Sequence, residues 1–336
     1  MELRPFVFSD SVQIAETTAL WNAACGPELA ISERAMRYNT APVEGGIQAG
    51  VIAYATGQPA GFVLASALPH DPSVSPPEAG WVDAIAVHPD FQRRGIGSAL
   101  LGWAESWLIG QGCRKARLGG SIHPFAAGLP VQLGSEGFFA RRGFVAASGH
   151  EHSWDVAHDL AAYVTPPSAL KATGLHARPA RSGEEDALLG FLRREFPGRW
   201  RFEAECHLRE GGRISDYFLL FSERGVDGFC QLTYEDSRRP LDRFFPYGLP
   251  QPWGQLGSVG VSWGRHGQGY GAVMMDAALR HMRDLGIRGC VIDWTNIVGF
   301  YARFGFKPYR QYWMAGKALG VDLTPRPPSL SGKGET

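Results

Sequence analysis

The chain has 336 residues, with 33 basic and 33 acidic side chains and 44% hydrophobic residues. At about 150 residues per domain, this length predicts two globular domains, each large enough to bury a core. A net charge of zero gives no field that would attract nucleic acid or an anionic membrane surface. These figures exclude a single small module and argue against a polyanion as partner.

Targeting and cysteine patterns point to a reducing compartment. No stretch of about 18 consecutive apolar residues occurs, and the N-terminus carries Glu2 and Asp10, where a signal peptide would be basic and then apolar. We therefore expect a soluble, cytoplasmic protein. The five cysteines show no C-x-x-C spacing, which predicts buried free thiols and leaves a catalytic thiol as an open alternative. They are Cys25, Cys113, Cys206, Cys230 and Cys290.

The first half of the chain alternates predicted strands and helices. LRPFVF predicts a strand and VQIAETTALWNAA a helix. The next segments, GGIQAGVIAYAT and PAGFVLASAL, predict a hairpin around Gly57-Gln58, and WVDAIAV predicts the following strand. In the second half, LHARPA, EDALLGFLRREF, DYFLLFSE, VDGFCQLTY and QLGSVGV repeat this order.

Two passages far apart in the chain are similar to each other. Trp81–Leu101 aligns without gaps on Gln255–Met275, so that Gly95 falls on Gly269 at an offset of 269 − 95 = 174 residues. This offset is the size of a domain and too long for a solenoid repeat. We call the two halves the N-terminal copy and the C-terminal copy.

Each copy ends in an aromatic residue followed four positions later by Gly-Phe. The motif reads FARRGF in the N-terminal copy and YARFGF in the C-terminal copy. The distance from the glycine loop to the aromatic residue is 139 − 95 = 44 positions in the first and 301 − 269 = 32 in the second. The additional 12 residues include Ser121–Pro130, which predicts either a lid over an acceptor site, with His123 as a candidate base, or an ordered surface loop.

Composition suggests the domain boundaries. Proline, serine and glycine interrupt the hydrophobic pattern between Thr165 and Gly174. We therefore predict an N-terminal domain over 1–164, a linker over 165–174 and a C-terminal domain over 175–323. The tail 324–336 is rich in proline, glycine and serine, which predicts disorder.

The glycine turn carries the chemistry. A strand ending at Val87, followed by QRRGIG at the start of a helix, places free backbone N–H groups where they bind phosphate oxygens. Glycines allow close approach of an anion, and Arg93 and Arg94 add positive charge. A dinucleotide fingerprint is rejected because Leu100 stands where the third glycine belongs, and neither copy has the Gly-Lys-Ser/Thr of a P-loop.

The Q-x-x-G-x-G loop after a Val-terminated strand, followed by the aromatic-x-x-x-Gly-Phe motif, resembles the GNAT superfamily of N-acetyltransferases. The resemblance covers most of both halves and implies an α/β (α+β) protein of two tandem GNAT domains, each a mixed, mostly antiparallel sheet flanked by helices. It implies acetyl-CoA as cofactor and direct attack of an amine on the thioester, with neither a metal nor a covalent intermediate.

The resemblance also assigns cofactor-binding residues in both copies. The loop after the fourth strand would bind the pyrophosphate, and the end of that strand would bind the pantetheine arm. In the N-terminal copy these residues are Ile85, Ala86, Val87, Gln92, Arg93, Arg94, Gly95, Ile96, Gly97 and Ser98. In the C-terminal copy they are Val259, Gly260, Val261, His266, Gly267, Gln268, Gly269, Tyr270, Gly271 and Ala272.

The two copies depart from the family pattern in opposite ways. The family tyrosine, which protonates or hydrogen-bonds the thiolate of coenzyme A, is matched only by Tyr301, since Phe139 stands at its place in the N-terminal copy. The C-terminal loop lacks arginine inside the turn and has Arg265 just outside it. We favour the C-terminal copy for catalysis because of Tyr301, although this residue could instead be a core aromatic.

A general base is less well defined by the sequence. Asp83 lies on the strand before the N-terminal loop, and Asp293 lies between a predicted strand and the helix of Tyr301. Both are candidates, and both could instead be capping or turn residues. We expect a small-molecule or peptide amine as acceptor, and the sequence leaves a small amine, an amino acid, an aminoglycoside and a protein N-terminus open. An acyl-CoA sensor without turnover and a transferase for longer acyl groups are the alternatives.

Overall fold

The two copies build two β-sheets in the computed structural model, which describes residues 1–170 and 174–320. The predicted linker overlaps the gap, and the predicted disordered tail lies outside the described residues. The strands are β1 (Glu2–Pro5), β2 (Ile47–Ala55), β3 (Gln58–Ala67), β4 (Ala79–Val87), β5 (Lys115–Leu118), β6 (Leu129–Pro130), β7 (Val145–Ala146), β8 (His152–Asp159), β9 (His176–Pro179), β10 (Tyr217–Ser222), β11 (Gly225–Thr233), β12 (Trp253–Val261), β13 (Gly289–Thr295), β14 (Lys307–Trp313) and β15 (Ala315–Ala318).

Helices flank both sheets. They are α1 (Ser11–Cys25), α2 (Glu33–Asn39), α3 (Ile96–Gly110), α4 (Glu136–Ala140), α5 (Glu185–Glu195), α6 (Arg199–Arg209), α7 (Tyr270–Asp284) and α8 (Val298–Ala302). Pairing is antiparallel within each sheet except between β4 and β5 and between β12 and β13. The predicted fold class, with mixed and mostly antiparallel sheets flanked by helices, is confirmed.

Most of the predicted elements form near their predicted places. The β2–β3 hairpin turns at Thr56 and Gly57, with φ of 50° and 80°, one residue earlier than predicted. A two-residue turn with positive φ at both positions matches the twist of paired strands. Helices α2 and α6 were not predicted, because neither shows a long apolar period; α6 reads RWRFEAECHLR.

The two sheets exchange strands. The first has the order β1-β2-β3-β4-β5-β15-β7 and the second has the order β6-β14-β8-β13-β12-β11-β10-β9. Strand β15, from the end of the described chain, therefore lies between β5 and β7, and β8 lies between β13 and β14. Each sheet crosses the predicted boundaries 1–164 and 175–323, so each copy is completed by a strand of the other.

One long helix covers the core side of each sheet. In α3 the buried residues include Leu100, Leu101, Ala104 and Leu108, which follow the helical period and contact the first sheet. In α7 four buried methionine and leucine side chains likewise follow the helical period and contact the second sheet. Each fully buried side chain of this size contributes roughly 1.5–3 kcal/mol. These helices thereby fix the glycine turns that precede them.

No helix in the described part of the chain combines the length and the apolar composition that a membrane span requires. All five cysteines are free, and four of them are buried.

Candidate active site

The N-terminal glycine turn joins β4 to α3. Arg93 and Gly95 have positive φ, 62° and 84°, and α3 starts directly after Gly95. No side chain caps this helix, whereas Asp10 accepts hydrogen bonds from the first turn of α1. A Cβ added to Gly95 would meet no atom within 4 Å. The start of α3 therefore has no side-chain acceptor for its N–H groups, and the space beside Gly95 is open, as phosphate binding requires.

The C-terminal turn has the same geometry. Gly267 and Gly269 have φ of 77° and 88°, and α7 starts after Gly269 without a side-chain cap. A Cβ on Gly271 would lie 3.5 Å from the Phe300 ring, much as one on Gly97 would lie 3.3 Å from Phe138. Both sets of expected phosphate-loop residues therefore form uncapped turns at the start of 15-residue helices, so the donor set fits a pyrophosphate.

The two turns differ in charge. Arg93 and Arg94 are exposed beside the N-terminal turn. In the C-terminal turn, Arg265 is engaged by acidic residues, with its Nη2 3.0 Å from Glu223 Oε1 and its Nε 3.8 Å from Asp227 Oδ2. The C-terminal turn consequently offers mainly backbone donors.

A cavity opens where β12 and β13 diverge. The two strands pair only from Trp253 with Gly289 to Gln255 with Val291. Beyond this point Ser258 has a φ of 49°, and β12 turns away from β13. The space between the strands is part of a cavity of about 370 Å³. Its wall includes Ser258, Val259, Ile292, Asp293 and Tyr301, together with residues from the N-terminal copy.

Tyr301 and Phe139 are both buried and pack alike against neighbouring phenylalanines, but of the two only Tyr301 also lines the cavity. Tyr301 lines this cavity, and burial together with the negative charge of Asp293 raises the pKa of its hydroxyl well above the usual range. The hydroxyl therefore keeps its proton at neutral pH. Phe139 is buried between Phe138 and Phe144 in the core of the N-terminal copy. Phe139 packs as a core residue, and its ring has no proton to donate.

Asp293 is held by a polar network. Its Oδ1 accepts a hydrogen bond from Gln255 Nε2 at 2.6 Å. The orientation of Gln255 is fixed because its Oε1 accepts from Thr233 Oγ1 and from Arg239 Nη2, both at 2.8 Å. Gln255 is fully buried in the cavity wall, and Asp293 lines the cavity beside it. One carboxylate oxygen is thus anchored, and the group is directed at the cavity.

Asp83, the other candidate base, lies in a different place. It is buried, and it accepts hydrogen bonds from Gln48 Nε2 at 2.9 Å and Ser66 Oγ at 2.7 Å. Burial raises the pKa of Asp83 to about 6. The structure therefore separates the two candidates: Asp293 faces the cavity with Tyr301, and Asp83 lies within the N-terminal copy behind Gln48 and Ser66.

The inserted segment of the N-terminal copy forms part of the wall. Ile122, His123 and Pro124 line the cavity, and the His123 ring lies 4.6 Å from that of Tyr38. Burial and the charge of nearby Arg243 lower the pKa of His123 to about 3, so its ring is neutral. Arg243 Nη2 donates to Pro124 O at 3.0 Å and ties the segment to the C-terminal copy.

Helix α6 supplies the wall residues that the sequence did not indicate. Its Arg199, Glu203, His207 and Glu210 line the cavity at helical spacing, the last at the cap of the helix. The Arg199 guanidinium lies 4.6 Å from the Trp294 ring, and its Nη1 donates to Gly120 O at 2.7 Å. Cys206 is also in the wall, and burial raises the pKa of its thiol to about 11, which disfavours a thiolate nucleophile.

A model of a known family matches both copies. The family, described as Acetyltransferase (GNAT) family, matches residues 17–144 and 186–306. Two curated proteins named mycothiol acetyltransferase are similar to the chain. The one from Parafrankia sp. (strain EAN1pec) is 26% identical over 66% of this chain and 71% of its own length. The one from Salinispora arenicola (strain CNS-205) is 30% identical over 68% of this chain and 71% of its own length.

Solved structures share the fold. A GCN5-related glucosamine N-acetyltransferase region of a fungal multi-domain β-N-acetylglucosaminidase superposes with a TM-score of 0.81 at 22% identity. The match covers 94% of this chain and 38% of that one. A tandem GNAT protein from the clavulanic acid biosynthesis pathway gives a TM-score of 0.69 at 15% identity, covering 94% and 98%. At these identities the likeness is one of fold, and it extends over both copies.

Proposed function

The chain belongs to the Acetyltransferase (GNAT) family and is an acetyl-CoA-dependent N-acetyltransferase, and we propose that its C-terminal copy catalyses the transfer. The observation that carries this assignment is the shared cavity of Tyr301 and Asp293. It brings a protonated hydroxyl and a carboxylate to the gap between β12 and β13. The corresponding position in the N-terminal copy is the buried Phe139.

We propose that both glycine turns hold the pyrophosphate of acetyl-CoA, which supplies an acetyl thioester when bound. The donors are the N–H groups of these turns that have no backbone acceptor in the part of the chain that the structure describes, namely those of Gly267, Gly269, Tyr270 and Gly271 in the C-terminal copy and of 93–98 in the N-terminal copy, whereas the N–H groups of Gln92, His266, Gln268 and Ala272 already donate to backbone carbonyls. The ends of the fourth strands, Val259–Val261 and Ile85–Val87, would pair with the pantetheine arm. The divergence of β12 from β13 supports this role, because the edge of β12 beyond Gln255 lacks a partner from β13.

The side chains divide the proton transfers. Asp293 is the general base, which accepts a proton from the attacking amine, and Tyr301 is the general acid, which donates to the departing thiolate. The raised pKa of Tyr301 keeps its hydroxyl protonated at neutral pH, so that a proton is present to donate or to share with the departing thiolate. Gln255 positions Asp293, with its own orientation set by Thr233 and Arg239.

We propose a hexosamine, with glucosamine as the first compound to test, as acceptor. Among the carboxylates of the cavity, Glu203 is paired with Arg199 and Glu210 with Arg238, whereas Asp293 has no ion pair in the described part of the chain and would attract an ammonium group. The arginine and histidine side chains of the same wall would bind hydroxyl oxygens. The fungal glucosamine N-acetyltransferase region, with its similar fold, supports this choice.

The test is thiol release from acetyl-CoA with glucosamine, and with N-acetylglucosamine as the matched compound that lacks a free amine. We expect release only with glucosamine. Tyr301→Phe should lower kcat by about 10² or more, because general acid catalysis contributes roughly this much. Phe139→Tyr is the control and should leave kcat unchanged. Unchanged turnover in Tyr301→Phe would overturn the assignment to the C-terminal copy.

One observation favours a second candidate, an acyl-CoA-binding protein without useful turnover. Arg265 is occupied by Glu223 and Asp227, so the C-terminal turn has less positive charge to offer than the N-terminal one. Calorimetric titration with acetyl-CoA separates the two functions. Binding without amine-dependent thiol release, across a panel of amino sugars and amino acids, would support the sensor. Competition by long-chain acyl-CoA would indicate a longer acyl group.

A further inference from the structure

A second cavity, of about 330 Å³, lies in the N-terminal copy between the end of α2 and the first sheet. Its wall includes Trp81, which aligns with Gln255 in the active-site cavity at the same offset of 255 − 81 = 174 residues. The two cavities are therefore counterparts in the two copies. Ile122 and His123 line both, so these two residues form a partition between them.

The two cavities differ in charge. Arginine and acidic side chains line the active-site cavity, whereas the wall of the second cavity contains no Asp, Glu, Lys or Arg among the described residues. His123 does not change this, because its ring is neutral. The Asp83 carboxyl lies behind the wall, where Gln48 and Ser66 hold its oxygens, so a charged ligand would lose its hydration here without gaining an ion-pair partner in the wall, and this loss is costly. The wall thus selects for an uncharged ligand.

Polar atoms without protein partners lie together on this wall. Asn39 is 1% exposed, and neither Nδ2 nor Oδ1 has a hydrogen-bond partner among the described residues. Gln48 Oε1 is also buried without a partner. Its orientation is fixed because Gln48 Nε2 donates to Asp83 Oδ2 at 2.9 Å and Asn39 O at 3.2 Å. Each unpaired buried group has lost its hydration without gaining a partner, and a complementary ligand would supply that partner.

Most of the remaining wall is apolar. Its large apolar side chains include Phe8, Val43, Ile47, Leu68 and Trp81, and the polar residues Thr40, Ser66 and Ser121 also belong to the wall. An amide side chain such as that of Asn39 offers both a donor and an acceptor, the complement of a carboxamide. We propose that this cavity is a second ligand site, for an uncharged molecule in which a carboxamide is attached to a flat apolar or aromatic group. The site uses neither glycine turn, and it stands independently of the acetyl transfer.

The experiment uses the full chain and three probes of similar size: benzamide, benzoate and benzylamine. Binding is followed on the ¹⁵N-indole signals of tryptophan, with Trp81→Phe identifying the Trp81 signal. We expect benzamide to shift this signal saturably and the two charged probes to bind at least about tenfold more weakly. No saturable shift with benzamide, or equal binding of all three probes, would overturn the proposal.

Variants locate the site. Asn39→Leu keeps the side-chain size but removes the amide, so we expect benzamide to bind about tenfold more weakly. The Tm should stay equal or rise, because the variant no longer buries unpaired polar atoms. Val43→Trp, at a partly exposed position, should fill the cavity and also reduce binding. Glu203→Gln, in the active-site cavity, is the control and should bind benzamide as the wild type does. Full benzamide binding by both folded cavity variants would overturn the site.

Discussion

The carboxylate of Asp155 accepts a hydrogen bond from the backbone N–H of Trp294, with 3.0 Å between Oδ1 and N. The bond crosses from β8 to β13 where their pairing shifts between Ile292 and Thr295. Trp294 has a φ of 50°, a left-handed conformation that is unfavourable for a residue with a large side chain. The bulge that presents Asp293 to the cavity is therefore held by a strand from the N-terminal half.

We expect Asp155→Ala to lower kcat by at least about tenfold, since the Trp294 N–H loses its acceptor and Asp293 shifts with the bulge. The KM for acetyl-CoA should change little. Asp155→Asn keeps an oxygen for the Trp294 N–H and should restore most of kcat, which distinguishes positioning from a general loss of stability. The measurement is steady-state thiol release with the accepted amine. Wild-type kcat in Asp155→Ala would contradict this role.

A second prediction concerns Gly257 beside Asp293. A Cβ at this position would lie 2.2 Å from Gln255 Nε2 and 3.1 Å from Asp293 Oδ1. Gly257→Ala should therefore displace the pair and lower kcat/KM by about tenfold or more. Gly190→Ala is the matched control, because a Cβ there meets nothing within 4 Å in the middle of α5. It should raise the free energy of unfolding by roughly 0.5–1 kcal/mol with unchanged activity.

The sequence was sufficient to predict the glycine turns. Gly95 and Gly269 could be recognised because the left-handed backbone conformation before each helix favours glycine. The internal repeat places a glycine at this position in both copies. The place of Tyr301 followed from the same alignment. Such local backbone requirements are visible in residue identity, so the fold class and the expected cofactor loops could be predicted.

The acceptor side could not be predicted, because it depends on contacts between distant segments. Strand β8 shows a strand pattern, but nothing in that pattern determines that it pairs with β13 in the second sheet. The roles of Asp155 and Arg199 follow only from that exchange and from the docking of α6 on the inserted segment. Asp83 and Asp293 looked equivalent in sequence, and only their surroundings separate them.

Asp83 should make stability depend on pH. Burial raises the pKa of its carboxyl to about 6, whereas an unfolded aspartate has a pKa of about 3.9. The native state therefore binds the proton more tightly, and this contribution to stability is lost as pH rises from about 4 to about 6. Asp83→Asn lacks the proton equilibrium, so its free energy of unfolding relative to wild type should rise by roughly 2–3 kcal/mol across that window.

Urea unfolding at pH 4.5, 5.5 and 7 measures this difference. Asp159→Asn is the control, because the Arg288 ion pair lowers the pKa of Asp159 to about 2 and its own window lies at more acidic pH. Its difference from wild type should stay nearly constant over the same range. A constant difference for Asp83→Asn as well would show that the buried carboxyl titrates normally.

The last prediction concerns the exchanged strand β15. Lys317 Nζ lies 2.8 Å and 2.7 Å from the two carboxylate oxygens of Glu105 on α3, and both side chains are more than four-fifths buried. A double-mutant cycle with Lys317→Met and Glu105→Gln, measured by urea unfolding, should give a coupling of about 1 kcal/mol. The exposed pair of Arg4 and Glu2 is the control and should give a coupling of about zero.

Because β15 completes the first sheet, both halves of the chain should unfold in one transition. A negligible Lys317–Glu105 coupling, or earlier unfolding of the second half alone, would contradict a structural dependence of the N-terminal sheet on this strand.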